Sequence, residues 1–525
     1  MSMRTMVATV LAATLAVAAV IGGAGLDGRV GRAAAASPRF VGLAPARLLD
    51  TRSGAPTVDG AGSGAGPVGA ATTIEVSVLG RGGVPRTGVA AVVLNVTATE
   101  ATAVSYVTAF PGGEQQPGTS NVNLVPGATV ANSVIVGVGD GTVRLFQHAG
   151  SAHLLVDVLG WFPVGSEFSA VAPQRLLDTR LGTATTDGLA RAGAGVRGPA
   201  TVDVAVLGNG GVPAAHVAAV AVNITAVDPT AESYVSVYPS GGPRPLASTL
   251  NVHPGTTTAN MTIVPVGADG SISLYLAGGA GDFVVDVLGW FAASPWHTVL
   301  LPARLVDTRA ASSTTDGRFE SSGAMRGGSE LHVMVAGRGG VPSTGAGTVV
   351  LNVTVVDPTE ALYVTVYPSG APRPLASNLN AGAGRNTANL VIVPVGPDGR
   401  VSIFLSGGGR AHLVVDVLGW FADDGAAPPT TSTTTTSTTT TPSSTTPSST
   451  TVTSTSSSAP TSTSASTSTS TTSSSTTSTT TPSTTTTPST TSTSSSTTSM
   501  PTSTSTSSTT STTSTTSPTT STSTT

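Results

Sequence analysis

Between residues 37 and 424 the chain alternates apolar and polar positions in short bursts. Ile74-Glu75-Val76-Ser77-Val78 alternates strictly, and residues 202–206 and 331–335 repeat the pattern. A period of two predicts half-buried β-strands. Other runs are apolar on both faces. Ala91-Val92-Val93-Leu94-Asn95-Val96-Thr97 is one; the stretch 154–162 is another, with Leu155, Asp157, Leu159 and Trp161 on one face and Leu154, Val156, Val158 and Phe162 on the other. Strands of that kind belong at the centre of a packed assembly. Gly-, Pro- and Asn-rich breaks separate the runs, at Gly82-Gly83-Val84-Pro85, Pro111-Gly112-Gly113, Pro126-Gly127 and Gly139-Asp140-Gly141. No segment keeps a 3.6-residue period of helical length with caps. Short strands punctuated in this way predict an all-β fold, with sandwich or jelly-roll-like modules of about 9–10 strands each.

These signals are written three times. Asp-Thr-Arg stands at Asp50, Asp178 and Asp307, Gly-Gly-Val-Pro begins at Gly82, Gly210 and Gly339, and Asn-(Val/Ile)-Thr begins at Asn95, Asn223 and Asn352. Each set is spaced by 128 and then 129 residues, and the closing Asp157, Asp286 and Asp416 by 129 and then 130. Solenoid and propeller repeats are far shorter, ~20–50 residues, so a whole domain has been copied in tandem. The modules are assigned to residues 37–165, 166–295 and 296–424. Their short joins near Phe168 and Ser294 predict a stiff rod.

Both ends differ in kind. Residues 1–36 read as an export signal, with Arg4, an apolar run over residues 6–21, and Ala34-Ala35-Ala36 as a small-residue cleavage site. Left uncleaved, residues 6–26 would just span a bilayer at ~1.5 Å per residue. Cleavage is the favoured reading, and the chain beyond it then has no membrane contact. Residues 425–525 are almost entirely Ser, Thr and Pro. Such a composition buries too little apolar surface to offset ordering entropy, which predicts a disordered stalk rich in hydroxyls for O-glycosylation.

Charge is scarce: 10% of residues against a usual ~25%, with a net charge of −4 and no basic cluster. Nucleic acid is therefore excluded as a partner. With no cysteine, neither disulfides nor thiolate metal sites hold the chain together. In a chain so poor in charge, ionic residues that return in every copy need a reason. Asp157, Asp286 and Asp416 lie on the two-faced closing strand, and a buried carboxylate must be paired. The arginine fork is the natural partner, which points to Arg47 or Arg52 in the first copy, Arg175 or Arg180 in the second and Arg304 or Arg309 in the third. Asp50 and its equivalents suit a turn that caps backbone amides. Asp-Thr-Arg lacks the glycine of an aspartic protease, and its arginine would hold the aspartate ionised.

Enzyme chemistry finds little else. The histidines form no metal-binding pair, and His153 and His412 align with Asp282 in the second copy. There is no nucleophile elbow or phosphate loop, so no catalytic residue, metal or cofactor is assigned. The Asn-x-Thr triplets at Asn95, Asn223, Asn260 and Asn352 resemble glycosylation sequons, but three lie inside apolar strands; the recurring Asn123, Asn251 and Asn380, with Asn132, Asn260 and Asn389, suit backbone groups at bends.

The binding hint is aromatic. In Tyr234-Val235-Ser236-Val237-Tyr238 the two tyrosines and the serine share a face opposite both valines. Tyr363 and Tyr367 repeat this around Thr365, and Tyr106 and Phe110 nearly do. A Tyr–hydroxyl–Tyr face could stack a sugar ring with hydrogen bonds beside it; alternatively these rings pack beneath a loop or against the next module. Glu100, Asp228 and Asp357, shortly before this face, could add polar contacts.

Taken together, Pro-x-Arg-Leu-x-Asp-Thr-Arg, Asn-Val-Thr, Tyr-Val-x-x-(Phe/Tyr)-Pro, Ser-x-x-Asn, Ala-Asn, Val-Pro-Val-Gly and Asp-Val-Leu-Gly-Trp-Phe resemble a tandem extracellular module of actinobacterial secreted and surface proteins. The resemblance covers residues 38–422 and departs in the first copy, where Val136-Gly137-Val138-Gly139 replaces Val-Pro-Val-Gly. It implies export and an accessory or surface role, and brings no ligand with it. The sequence thus leads to a secreted, non-enzymatic surface protein, extracellular with or without wall association, for adhesion or weak multivalent binding to cell-wall or extracellular polysaccharide. A ligand-free spacer or coat protein is the rival reading, and part of a glycan hydrolase a distant one.

Overall fold

The computed structural model describes residues 38–423 except 184 and 186–194. The export signal and the Ser/Thr/Pro stalk lie outside the described residues. Every regular element within them is a strand. In the first copy the strands are β1 (Val41–Asp50), β2 (Thr72–Ser77), β3 (Val89–Thr99), β4 (Ser105–Pro111), β5 (Val122–Leu124), β6 (Val130–Gly137), β7 (Thr142–Gln147) and β8 (His153–Pro163). They pair antiparallel as two four-stranded sheets, β1-β8-β3-β6 and β2-β7-β4-β5. The chain crosses between sheets at every connection but β4 to β5, which is the winding of a jelly roll. The other copies repeat both strand orders and each add a short strand, Val196–Arg197 and Met325–Arg326. Eight or nine strands per module thus replace the 9–10 expected.

The two sheets meet different surroundings, and their sequences say so. β2 alternates because one side faces solvent and the other faces the sandwich core through Val76. β3 and β8 are apolar on both sides because the β1-β8-β3-β6 sheet is covered on both. One side packs on its own partner sheet and the other packs on the remaining modules. The core around Val93, Ile135 and Leu159 accordingly continues into Met261 and Leu288 of the second copy and Leu390 and Leu418 of the third.

The stiff rod expected from the short joins is therefore wrong: the three modules close into a ring. Closure is visible in the asparagines. Asn132 Nδ2 donates to Asn223 Oδ1 (2.8 Å), Asn260 Nδ2 to Asn352 Oδ1 (3.0 Å) and Asn389 Nδ2 to Asn95 Oδ1 (3.0 Å), so the first copy bonds the second, the second the third, and the third the first. The other lone pairs are used too. The amides of Met261, Leu390 and Ser133 donate to Asn132, Asn260 and Asn389 Oδ1, each from the module across the seam. Asn95, Asn223 and Asn352 Nδ2 reach the carbonyls of Ser377, Ser120 and Ser248 in the preceding module of the ring. Four of these asparagines are the sequon residues; all are buried and serve the seams.

A girdle of rings completes the pseudo-threefold. Phe40, Phe162, Phe168, Phe291, His297 and Phe421 follow one another around a circuit with neighbouring centroids 4.5–6.1 Å apart. This explains the glycine of Asp-Val-Leu-Gly-Trp-Phe: a Cβ on Gly160 or Gly289 would run into the ring of Phe40 or Phe168. His297 stands where the other copies have phenylalanine. It is buried, its Nδ1 has no partner, and burial pushes its pKa down from 6.5 to about 4.

Two outcomes follow from this geometry. Asn260→Ala removes the partners of Leu390 N, Thr249 O and Asn352 Oδ1 at once. Each buried group so orphaned costs ~1–3 kcal/mol, so denaturant unfolding should show a loss of several kcal/mol, against little for Thr72→Ala on the exposed edge. His297→Phe should raise the melting temperature at pH 7 by a few degrees. Between pH 6.5 and about 4 the unfolded histidine binds a proton that the buried one refuses. That term weakens the native protein as pH falls, by up to roughly 3 kcal/mol, and comparison of wild type and variant melts across this range should show it vanish in the phenylalanine variant.

Candidate functional site

The recurring charges form one cluster per module. Arg47 and Asp157 are directly opposed on β1 and β8. The Arg47 fork holds Asp157 through Nε (2.6 Å) and Nη2 (3.1 Å), and its third nitrogen reaches Asp50 at 2.6 Å. Asp50 also takes the Arg52 fork at 3.0 and 2.8 Å and the Arg52 amide at 3.2 Å. Arg175 with Asp286 and Asp178, and Arg304 with Asp416 and Asp307, repeat the cluster, while Arg180 and Arg309 take the place of Arg52. Of the two arginines considered for each closing-strand aspartate, the first is its partner and the second belongs to the Asp-Thr-Arg turn. Burial pushes Asp157 and Asp416 up, and Asp286 up to about 6, against the pull of the facing arginine. For Asp50, Asp178 and Asp307 burial also pushes upward, but the forks and the amide outweigh it and hold them below the usual value. The third cluster lies at a seam: Arg304 Nη2 also touches the Leu246 carbonyl of the second module. The divergence of His153, Asp282 and His412 has a simple account. Each contacts the hydroxyl of the turn threonine, Thr51, Thr179 or Thr308, at 2.7–3.1 Å, a role imidazole and carboxylate can both fill.

The aromatic face is split. Tyr234 and Tyr363 are 36% and 40% exposed, and Tyr106 is half-buried, but Phe110, Tyr238 and Tyr367 are buried. Period two assigned them one face correctly and missed the loop that covers half of it. After β4 the chain folds back over its outer side, with Thr108, Ser236 and Thr365 hydroxyls donating to the carbonyls of Thr119, Ala247 and Ala376. The central hydroxyls are thereby spent on the protein. Glu100, Asp228 and Asp357 are turn residues with φ of 57°, 47° and 50°, exposed after β3 and its equivalents.

The outward tyrosine has a different companion. Tyr275, half-buried, lies on the neighbouring strand in register with Ser236 and 6.4 Å from Tyr234, and Phe404 holds the same place 6.3 Å from Tyr363. Arg244 and Arg373, carried on the covering loops, lie over these rings at 3.8 and 3.6 Å. In the first module Tyr106 stacks on His148 at 4.4 Å, and Phe146 stands 6.3 Å beyond. The signal was in the alternation Ser271-Ile272-Ser273-Leu274-Tyr275, which sends Tyr275 outward, but cross-strand register was needed to bring it to Tyr234.

Clefts open where two of these platforms meet neighbouring modules. One of about 800 Å³ is lined by Tyr363 and Phe404 and by the loops that follow β5 and its equivalents in all three modules. A second, of about 470 Å³, sets Tyr106 and His148 of the first module against loop 255–257 of the second.

No family model matches the chain, and no curated protein matches it. Among solved structures, a chain described in "The Triple Jelly Roll Fold and Turret Assembly in an Archaeal Virus" shares 9% identity over 73% of this chain and 90% of that chain, with a TM-score of 0.18. A chain from "Life in the extremes: atomic structure of Sulfolobus Turreted Icosahedral Virus" shares 9% over 67% and 83%, again at 0.18. The tandem CBM22-1-CBM22-2 domain from Paenibacillus barcinonensis Xyn10C shares 12% over 48% of this chain and 99% of that one, at 0.15. At scores this low the jelly-roll assignment rests on the strand order alone.

The charge clusters make a sharp prediction. Arg304→Ala leaves Asp416 buried beside Asp307 without its counter-ion, and urea unfolding should show a loss of about 3–5 kcal/mol. Arg304→Met with Asp416→Leu, which removes both charges, should recover most of that loss.

Proposed function

We propose that this protein is a non-enzymatic, exported surface protein that binds neutral cell-wall or extracellular polysaccharide weakly at several points of one ring. The observation that carries the reading is the outward aromatic pair in each module: Tyr234 with Tyr275, Tyr363 with Phe404, and Tyr106 with His148. An exposed ring beside polar side chains is the surface on which a sugar can stack and hydrogen-bond at once. Three such pairs on one rigid ring raise the effective concentration of each for a long polymer, so individually weak contacts suffice. Export rests on the apolar run near the N-terminus and on the Ser/Thr/Pro composition of residues 425–525.

A spacer or coat role is the second reading, favoured by the burial of Tyr238 and Tyr367 and by the number of polar groups spent on closing the ring.

Retention on purified cell wall, chitin, cellulose and α-glucans separates the two. Wild-type chain should be retained on at least one of them, and the triple variant Tyr106→Ala, Tyr234→Ala, Tyr363→Ala should lose tenfold or more of that retention with its melting temperature within a few degrees. Equal retention by a folded triple variant, or none by wild type, would leave the spacer.

A further inference from the structure

The larger cleft is not threefold in its chemistry. Its rim is built from equivalent loops of the three modules, yet these read Pro126-Gly127-Ala128-Thr129, Pro254-Gly255-Thr256-Thr257 and Ala383-Gly384-Arg385-Asn386, and only the third module adds an aromatic pair. One ligand therefore finds one orientation in it. At about 800 Å³ it falls within the range of small-ligand sites, which run to ~1,000 Å³.

Its polar groups specify what would enter. Asn123 and Asn251 line the cleft, and the Nδ2 atom of each is buried with no acceptor in the protein. The equivalent Asn380 has only a 3.4 Å contact to Ser377 Oγ. The seam amides of Asn95, Asn132, Asn223, Asn260, Asn352 and Asn389 all donate, whereas those of Asn123 and Asn251 do not; a buried N–H without an acceptor is costly, and an acceptor that reaches it offsets that cost. No carboxylate lines the cleft, and Arg385 is its one charged side chain. Tyr363 and Phe404 supply an apolar wall, with Arg373 stacked on Phe404. Amide donors, hydroxyls of Thr256 and Ser406, and an aromatic wall together suit a ligand with many hydroxyls and no net charge.

We infer that this cleft is a single-copy site for a neutral oligosaccharide, built around the Tyr363–Phe404 platform, separate from the platforms at Tyr106 and Tyr234, and present only when all three modules are closed. The inference rests on the carbohydrate-binding reading and adds a site of one per chain to it.

The test is calorimetric titration of the full chain with cellohexaose, chitohexaose and maltohexaose, with a hexauronate as the charged comparison. One neutral oligosaccharide should bind at one site per chain. Asn123→Leu with Asn251→Leu should weaken it at least tenfold. Ala383→Trp, on an exposed loop, should abolish it by obstructing the cleft while leaving the melting temperature unchanged. Neither variant should alter retention on polysaccharide through Tyr234. Binding that survives Ala383→Trp, three equal sites, no binding of any neutral oligosaccharide, or a preference for the hexauronate would each overturn the inference. If polysaccharide retention persists in those cases, the broader reading stands; if it is absent as well, both fall.

Discussion

The structure depends on a sheet that cannot be left half wet. In each module β1-β8-β3-β6 or its equivalent is apolar on both faces, and one jelly roll has only one second sheet to offer. Val93, Ile135 and Leu159 are fully buried because the far side is closed by other modules. Apolar surface gains ~25 cal/mol per Å² on leaving water, so an isolated module would expose a large patch of the kind that drives association. Tandem copying satisfies this demand within one chain, without dissociation. Polar groups then fix the geometry that the apolar faces leave loose. The asparagine circuit joins first to second, second to third and third to first, and accepts no other register without orphaning backbone groups.

Most of the all-β architecture was legible from periodicity. The strict alternation of β2 marked a strand with a wet side, and the two-faced run of β8 marked one without. Closure was not legible, because a two-faced strand says that something covers it and not what. The short joins at Phe168 and Ser294 fitted a rod equally well. Had the buried asparagines been weighed as donors rather than as bends or sequons, they would have given the clue. An amide in the middle of an apolar β-branched run must find a partner, and here the partners lie in another copy.

The aromatic site shows the same limit at finer scale. Period two fixes which way Tyr234 and Tyr238 point, whereas exposure depends on a loop that the pattern cannot place. Tyr238 is sealed by the segment that ends at Ala247, while Tyr234, one turn of the pleat away, stays open and meets Tyr275 across the sheet. Cross-strand neighbours, and hence platforms, depend on register, which is fixed by the whole sandwich and not by any single strand.

Where the copies differ is itself informative. Positions that hold the ring closed are nearly invariant among the three: the arginine–aspartate clusters, the asparagines and the glycine beneath the girdle. His297 is the exception in the girdle, a phenylalanine site carrying a nitrogen that nothing satisfies. The freest divergence falls on the rims, in the loops around the large cleft and in the residues that cover the platforms, where Gln116 faces solvent in the place of Arg244 and Arg373. Among the buried atoms left without a partner, which include Trp161 and Trp420 Nε1 and His297 Nδ1, the Asn123 and Asn251 amides are the ones that belong to residues lining the large cleft. Unpaired donors raise the energy of the empty state, and a ligand acceptor that satisfies them removes that penalty on binding. Their place beside Tyr363 and Phe404 therefore weighs toward a ring that carries a ligand rather than one that only holds its own shape.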